Sequence, residues 1–170
     1  MKRILAIIAA GVVMMAGTNV FAQNDRGQLA APVLYGGVGP AIAGSIDFNQ
    51  LPKAARDFAQ KHFKDETVIA CEKEFYDNTY EVEFSDGTDI EFDAQGNWVE
   101  IDAGRRKVLP EKIVKKLLPD KARHELERRK VIAYVESVKR YNAGYKVEIR
   151  NAKYDDFRFA KDGKLLGISD

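Results

Sequence analysis

The 170-residue sequence has one cysteine, one tryptophan and two histidines, and these scarcities exclude several classes of protein. A single thiol, Cys71, cannot form an internal disulfide, so the chain is not a small domain held together by disulfides. Its alternating apolar run favours a buried, inert thiol, with an intermolecular disulfide or a reactive nucleophile as the alternatives. Cysteine–histidine catalysis needs a base beside the thiol, and neither His62 nor His124 stands in such a motif. The two histidines also lack metal-ligand spacing, so we expect no zinc site.

Long apolar runs are scarce too, and the single one, at the N-terminus, predicts a secretory leader. Lys2 and Arg3 precede an apolar run from Ile4 to Ala16, and a small-residue site follows at Val20-Phe21-Ala22. This is the pattern of a secretory signal peptide, and the run is shorter than the roughly 20 residues of a membrane-spanning helix. We therefore expect a signal peptide over 1–22 with cleavage after Ala22, a periplasmic or secreted protein, no stable membrane span and no nucleic-acid partner.

The segment 23–50 is rich in Gly, Ala and Pro and carries little charge. It lacks sustained periodicity, which predicts an irregular arm or linker.

The rest of the chain contains one strand-rich phrase twice. The first copy runs from Tyr80-Glu-Val-Glu-Phe84 to Gly96-Asn-Trp98, and the second runs from Tyr145-Lys-Val-Glu-Ile149 to Gly163. Leu51-Pro52 opens a helical stretch before the first copy, and Leu109-Pro110 opens one before the second. Such self-similarity predicts an α+β protein of two tandem units, 51–103 and 104–170, each a helix followed by four antiparallel strands. The charged stretch 119–130 lengthens the second unit and is predicted as an exposed helix or loop.

Alternation along the predicted strands separates two faces of a sheet that helices cover on one side. The helix-facing positions are predicted as Tyr80, Val82, Phe84, Ile90, Phe92, Val99 and Ile101, and then Tyr145, Val147, Ile149, Phe157, Phe159, Leu166 and Ile168. The outward positions are predicted as Glu81, Glu83, Glu91, Trp98 and Glu100, and then Lys146, Glu148, Arg158 and Leu165, with Tyr134 near them.

The two predicted units carry opposite charge, although the whole chain has a net charge of +1. Residues 51–103 hold 5 Lys and Arg against 14 Asp and Glu, a net of −9, and residues 104–170 hold 19 against 10, a net of +9. Such asymmetry concerns association rather than fold. Three explanations are open: the two halves attract each other, both charged faces are merely solvated, or a basic partner docks on the acidic half.

The phrase Tyr-x-Val-x-Phe, Asp86-Gly87, Ile-x-Phe-Asp93 and Gly96-x-Trp98 resembles the PepSY-like, beta-lactamase-inhibitor-like exported proteins. The resemblance covers about 51–170. The second copy departs from it, with Ala160 in the place of Asp93 and Leu165 in the place of Trp98. It implies two helix-plus-four-strand units whose sheets join into one curved surface, which in the beta-lactamase inhibitor protein clasps an enzyme. PepSY domains elsewhere accompany secreted peptidases. No catalytic residue belongs to the family pattern.

We therefore expect a non-enzymatic module that binds or inhibits an exported protein or peptide, such as a peptidase or hydrolase. The alternative is an envelope factor that binds a small or peptidic ligand. Trp98 would anchor the partner, unless the neighbouring repeat or the arm covers it. The other candidate contact residues are Glu81, Glu83, Glu91, Glu100, Tyr134, Lys146 and Arg158. No cofactor is predicted, and the oligomeric state is left open.

Two kinds of chemistry are weighed and not favoured. A carboxylate hydrolase would need an acidic group with a raised pKa in a cleft, and the sequence marks no cleft. A cation site at Asp86, Asp89 and Asp93 lacks the alternating ligands of a calcium loop, and hairpin turns account for these residues.

Overall fold

The computed structural model describes residues 44–74 and 76–170. The predicted signal peptide and residues 23–43 of the predicted arm lie outside the described residues. The described chain is an α+β fold with one eight-stranded antiparallel sheet and three helices. Each strand pairs with the next one along the chain, so the sheet is a continuous meander. The strands are β1 Val68–Glu74, β2 Thr79–Phe84, β3 Asp89–Phe92, β4 Trp98–Asp102, β5 Val135–Tyr141, β6 Gly144–Ile149, β7 Asp156–Ala160 and β8 Leu165–Ser169.

Each helix begins directly after a proline, which suits a first turn whose backbone N–H groups have no partner. The helices are α1 Lys53–His62, α2 Glu111–Leu117 and α3 Asp120–Arg128. Helix α3 occupies the charged stretch that was predicted to be an exposed helix or loop. Its Ala122 and Leu126 are fully buried, so the prediction of exposure is wrong for this side of the helix. The reason is that two apolar residues four positions apart form one stripe on a helix.

The hydrophobic core lies between the helices and one face of the sheet. Alternate residues of the strands point into it, among them Val82, Ile90 and Phe92 from the first half and Val147 and Phe159 from the second, all fully buried. Apolar residues of all three helices join the same cluster. Burial of an aromatic side chain of this kind stabilises a fold by about 3 to 5 kcal/mol relative to alanine. The core therefore fixes which face of every strand is turned outward.

A β-bulge near the start of β4 moves the first residues of that strand to the opposite face of the sheet from the one predicted. Glu100 stands opposite Glu91, but Phe92 stands opposite Trp98, so Val99 is an extra residue without a partner. Trp98 consequently lies on the same face as the buried Phe92. The prediction that Trp98 faces outward and Val99 faces the helices is wrong for this reason.

The same irregularity occurs in β8. Arg158 stands opposite Gly167 and Phe159 stands opposite Leu165, which leaves Leu166 as the extra residue. Leu165 packs against the core and Leu166 is 60% exposed. Their predicted faces are therefore also exchanged.

Two glycine turns lie against the first turns of two helices. A side chain at Gly96 would come within 2.7 Å of Pro52, which precedes α1. A side chain at Gly163 would come within 3.0 Å of Pro119, which precedes α3, and both glycines have φ values above +80°. Pro119 therefore lies against Gly163 in the same way that Pro52 lies against Gly96. Leu109-Pro110, expected to correspond to Leu51-Pro52, opens the additional helix α2.

Candidate functional site

The face of the sheet opposite the helices carries a continuous row of charged side chains, one from each of seven strands. Strand pairing sets these residues side by side in the order Glu72, Glu81, Glu91, Glu100, Lys139, Lys146 and Arg158. Four neighbouring glutamates thus cross β1–β4, and three neighbouring cations cross β5–β7. Directly opposed side chains in a sheet have Cβ atoms about 5 Å apart, close enough for strong like-charge repulsion.

A second row runs beside the first and extends the acidic surface. Glu83, Asp89 and Asp102 stand opposite one another on β2, β3 and β4. We call the seven carboxylates of these two rows on β1–β4 the acidic face: Glu72, Glu81, Glu83, Asp89, Glu91, Glu100 and Asp102.

The crowding of carboxylates perturbs their protonation. Burial, followed by the charges of Glu81 and Glu83 and then of Asp102, raises the pKa of Asp89 from its ordinary value of 3.8 to about 7. Burial and the neighbouring Glu72 and Glu91 also raise the pKa of Glu81. The repulsion between these carboxylates therefore favours any positive charge that reduces it, whether a proton or a cationic group.

On the second half of the same sheet face, the central cation of the row is neutralised by carboxylates of its own half. Lys146 Nζ lies 2.6 Å from Glu148 Oε1 and 2.9 Å from Asp156 Oδ1. Lys139 forms an ion pair with Glu100 at the boundary between the halves. Within the described residues, Glu100 is the only member of the acidic face with an ion pair. Within the described residues, the unpaired carboxylates of this face therefore lie on β1–β4, while Arg158 on β7 is a cation without an ion pair.

The structure brings together six of the predicted contact residues and separates two from them. Glu81, Glu83, Glu91, Glu100, Lys146 and Arg158 share the open face, as the pairing above shows. Tyr134 lies in a short 3-10 helix, Ile132–Tyr134, before β5, and is 56% exposed.

Trp98 lies on the helix side of the sheet, where it has aromatic neighbours. Its ring centroid is 6.4 Å from that of Phe58 on α1 and 6.4 Å from that of Tyr145 on β6. The Arg140 guanidinium lies 4.8 Å from the Trp98 ring centroid, within the range of a cation–π contact. Trp98 therefore bridges the first helix and the second half of the sheet instead of standing among the glutamates.

Sequence reasoning missed four members of the two rows: Glu72, Asp89, Asp102 and Lys139. Asp89 had been assigned to a hairpin turn, but it is the first residue of β3 and has the same parity as Glu91. That two-residue spacing was the available signal.

The neighbouring aspartates do serve turns. Asp86 accepts hydrogen bonds from the Thr88 N–H and hydroxyl, each at 2.9 Å, and Asp93 accepts from the N–H groups of Gln95 and Asn97.

Other reactive groups lie apart from this face. Burial raises the pKa of the Cys71 thiol to about 11, so it is a thiol at neutral pH. Burial, with the nearby Lys116, lowers the pKa of His62, whose ring is tilted against Phe58 with the centroids 4.6 Å apart. Across residues 44–74 and 76–170, no group of three or more His, Cys, Asp or Glu side chains has the arrangement of a metal site. Within the same residues, no helix is long and apolar enough to cross a membrane.

Solved structures of similar proteins come from Bacteroides. A periplasmic protein of unknown function from Bacteroides vulgatus is 27% identical, with a TM-score of 0.59, and the match covers 75% of this chain and all of that one. A second protein from the same species, of the DUF2874 family, is 25% identical with a TM-score of 0.62 over 78% of this chain and all of the other. A Bacteroides thetaiotaomicron protein, described as a "putative calcium-regulated periplasmic protein", is 27% identical with a TM-score of 0.58 over 75% and 96%.

No curated protein matches the sequence. None of the three structural descriptions names an enzymatic activity. The profile of the family described as "Putative beta-lactamase-inhibitor-like, PepSY-like" matches residues 78–167, from β2 to β8 and more than half of the chain. The helix-covered antiparallel sheet and the repeated strand phrase lie in that same region, and the chain belongs to this PepSY-like, beta-lactamase-inhibitor-like family.

Proposed function

We propose that the protein is a periplasmic, non-enzymatic binding module that holds a cationic segment of a partner protein on its acidic face. The N-terminal leader pattern and the periplasmic descriptions of its structural neighbours support export. An exported peptidase or hydrolase with a basic rim is the class of partner that the family resemblance favours. Binding to such a rim would block access to the enzyme and inhibit it.

The observation that carries this proposal is the unbalanced glutamate row. Glu72, Glu81 and Glu91 are adjacent across three strands, and only Glu100 at the end of the row has an ion pair within the described residues. Like charges directly opposite one another destabilise a sheet by amounts on the order of 0.2 to 1 kcal/mol for each pair. A bound cation removes this repulsion, so the partner stabilises the folded state.

We also propose that the described chain consists of two copies of one unit. Both halves have four strands in the same order, and both place a bulge between the third and fourth strands. Both rest a glycine turn on the start of a helix preceded by Leu-Pro. The copies would then differ in the charge of the open face, and that difference favours the first copy as the binding surface.

A direct test uses a fluorescein-labelled peptide of alternating lysine and alanine as a probe of cationic extended chain. Its binding is followed by fluorescence anisotropy at two salt concentrations. The test variant is Glu81→Gln with Glu91→Gln. The matched control is Asp65→Asn with Glu66→Gln, which removes the same charge beside the end of α1. A peptide of alternating glutamate and alanine controls for the charge of the probe.

We expect saturable binding of the lysine peptide that weakens as salt rises, because the contact is electrostatic. Loss of the two central glutamates should weaken binding about tenfold, whereas the control should change it less than about twofold. Equal weakening in both variants would mean that only net charge matters and would contradict a defined surface.

Calcium is the second candidate for the acidic face. The description of the Bacteroides thetaiotaomicron protein as calcium-regulated and the raised pKa of Asp89 favour it. The carboxylates stand side by side on neighbouring strands, and the described residues contain no group of side chains arranged as a metal site. This arrangement favours a cationic peptide over calcium. Calorimetric titration with calcium separates the two. Saturable calcium binding that the Glu81→Gln and Glu91→Gln variant abolishes would make the metal the ligand.

A further inference from the structure

A separate pocket lies at the far end of the sheet, on the helix side. It is an open depression of about 330 Å³ between the end of α3, the loop that precedes β7, and the last two strands. Phe157 and Ile168 form part of its lining, and they stand opposite each other on β7 and β8. Val131, Tyr154 and the cations Arg129 and Lys153 also line it. The volume is at the lower end of the range for ligand pockets and suits one aromatic or branched side chain.

The pocket lies beside the last strand of the described sheet. In the first half, Ile90 and Ile101 stand opposite each other in the same way, and both are fully buried where β5 and the second half follow. In the second half no described strand follows β8, and Ile168 is only partly buried. Phe157, which is 4% exposed, and the partly buried Ile168 thus form the apolar floor of the pocket beside the edge strand.

The charged residues that line this pocket are the cations Arg129 and Lys153, and Arg129 is paired with Glu125 outside the lining. The Arg129 guanidinium carbon is 5.8 Å from the centroid of the Phe157 ring, and Lys153 Nζ is 5.2 Å from the centroid of the Tyr154 ring. Arg129 donates through Nε to Glu125 at 2.6 Å, and among the described residues no acceptor is recorded for its two terminal nitrogens. No carboxylate is among the residues that line the pocket. An occupant that matches these groups has an apolar body and an anionic group.

We propose that this pocket binds the C-terminal residue of a peptide, with the apolar side chain on Phe157 and Ile168 and the free carboxylate between Arg129 and Lys153. The edge strand favours a peptide over a small acid. Within the described chain β8 pairs only with β7, and Leu165–Ser169 contains neither a charged residue nor a proline. Its outer backbone groups can therefore pair with an extended peptide whose last side chain enters the pocket. This site does not depend on the acidic face.

The test compares three probes in ¹H–¹⁵N correlation spectra of the protein. They are N-acetyl-glycyl-phenylalanine, its C-terminal amide, and 3-phenylpropionate. The variant is Lys153→Ala, and the matched control is Lys161→Ala, an exposed lysine in the turn between β7 and β8 that lies outside the pocket lining. Tyr154→Ala, at a residue that is 51% exposed, tests the pocket wall without disturbing the core.

We expect the free-acid peptide to give saturable shifts at Tyr154, Phe157, Ile168 and the β8 backbone. Lys153→Ala should weaken binding about fivefold or more, and Lys161→Ala should weaken it less than about twofold. The amide should bind at least about fivefold more weakly than the acid. Equal binding of acid and amide, or shifts that do not saturate, would overturn the carboxylate site. Equal binding of 3-phenylpropionate and the peptide would overturn the role of the peptide backbone.

Discussion

Replacement of Asp89 by asparagine should stabilise the protein, and the gain should depend on pH. Asp89 stands in the middle of the acidic face between Glu83 and Asp102. Its pKa of about 7 lies well above the 3.8 of an ordinary aspartate, with burial as the largest cause and the surrounding carboxylates next. An acid whose pKa is raised by folding binds its proton more tightly in the folded state. Between about pH 4 and pH 7 the contribution of Asp89 to stability therefore falls as pH rises, and above about pH 7 that contribution is constant.

The size of the effect follows from the shift. A difference of about three pKa units corresponds to at most about 4 kcal/mol, since one unit is about 1.4 kcal/mol. Asp89 is only half-buried, so solvent screening reduces this to about 2 kcal/mol. Asparagine resembles the protonated acid in shape and carries no charge. We expect Asp89→Asn to gain about 2 kcal/mol at pH 8 and less than half of that at pH 4.5.

Urea unfolding of wild type and variant at both pH values, followed by far-ultraviolet circular dichroism, measures the gain. Asp65→Asn is the matched control, because the same substitution lies outside the acidic face and should change stability by less than about 0.5 kcal/mol. An Asp89→Asn variant that is less stable than wild type at pH 8, or equally stabilised at both pH values, would refute the reasoning. The first result would mean that the carboxylate makes a favourable contact in the folded state.

Three further predictions concern packing. Gly96→Ala and Gly163→Ala should each lower the free energy of unfolding by about 2 kcal/mol. The reason is that a Cβ at either position would come within 2.8 Å of the helix backbone, at a residue with a positive φ. Urea unfolding measures the effect, and unchanged midpoints would contradict the prediction. Trp98→Ala should lower the free energy of unfolding by about 2 kcal/mol in the same assay, since the half-buried ring packs between two aromatic rings. A variant with full stability that no longer binds a partner would instead support the predicted role of Trp98 as a partner anchor. The native Cys71 thiol should react with a disulfide reagent at about pH 8 at least about tenfold more slowly than after unfolding in urea; equal rates would show exposure.

Most of the strands were predictable from the alternation of apolar and polar residues. A sheet that is covered on one face needs every second residue of each strand to be apolar. The two bulges were not predictable in this way. Val99 and Leu166 continue an apolar pattern that reads equally well with or without an extra residue, and only strand pairing reveals which residue has no partner. A one-residue change of parity moves a side chain to the other face, and this is how Trp98 was misplaced.

The candidate site was predictable in composition but not in arrangement. The excess of acid in the first half is evident from the sequence, as is the outward parity of Glu81 and Glu91. The adjacency of Glu72, Glu81, Glu91 and Glu100 depends on the register between strands, which hairpin lengths and the bulge determine together. The similar placement of Pro119 and Pro52 against glycine turns was hidden for a similar reason, because α2 places another Leu-Pro pair nine residues earlier.

The distribution of charge over the two halves explains why function is better sought on the open face than in the core. Both halves bury the same kinds of residue between strand and helix, so the core accounts for the fold and leaves little to distinguish one half from the other. The open faces differ in how their charges are balanced. Around Lys146 the second half supplies its own counter-ions, whereas Glu72, Glu81 and Glu91 form no ion pair among the described residues, although the charge of Lys139 acts on Glu91. A stability requirement alone would favour the balanced arrangement in both halves. The unbalanced one lowers the stability of the free protein and gains stability when a cation binds, which is the thermodynamic behaviour of a binding surface.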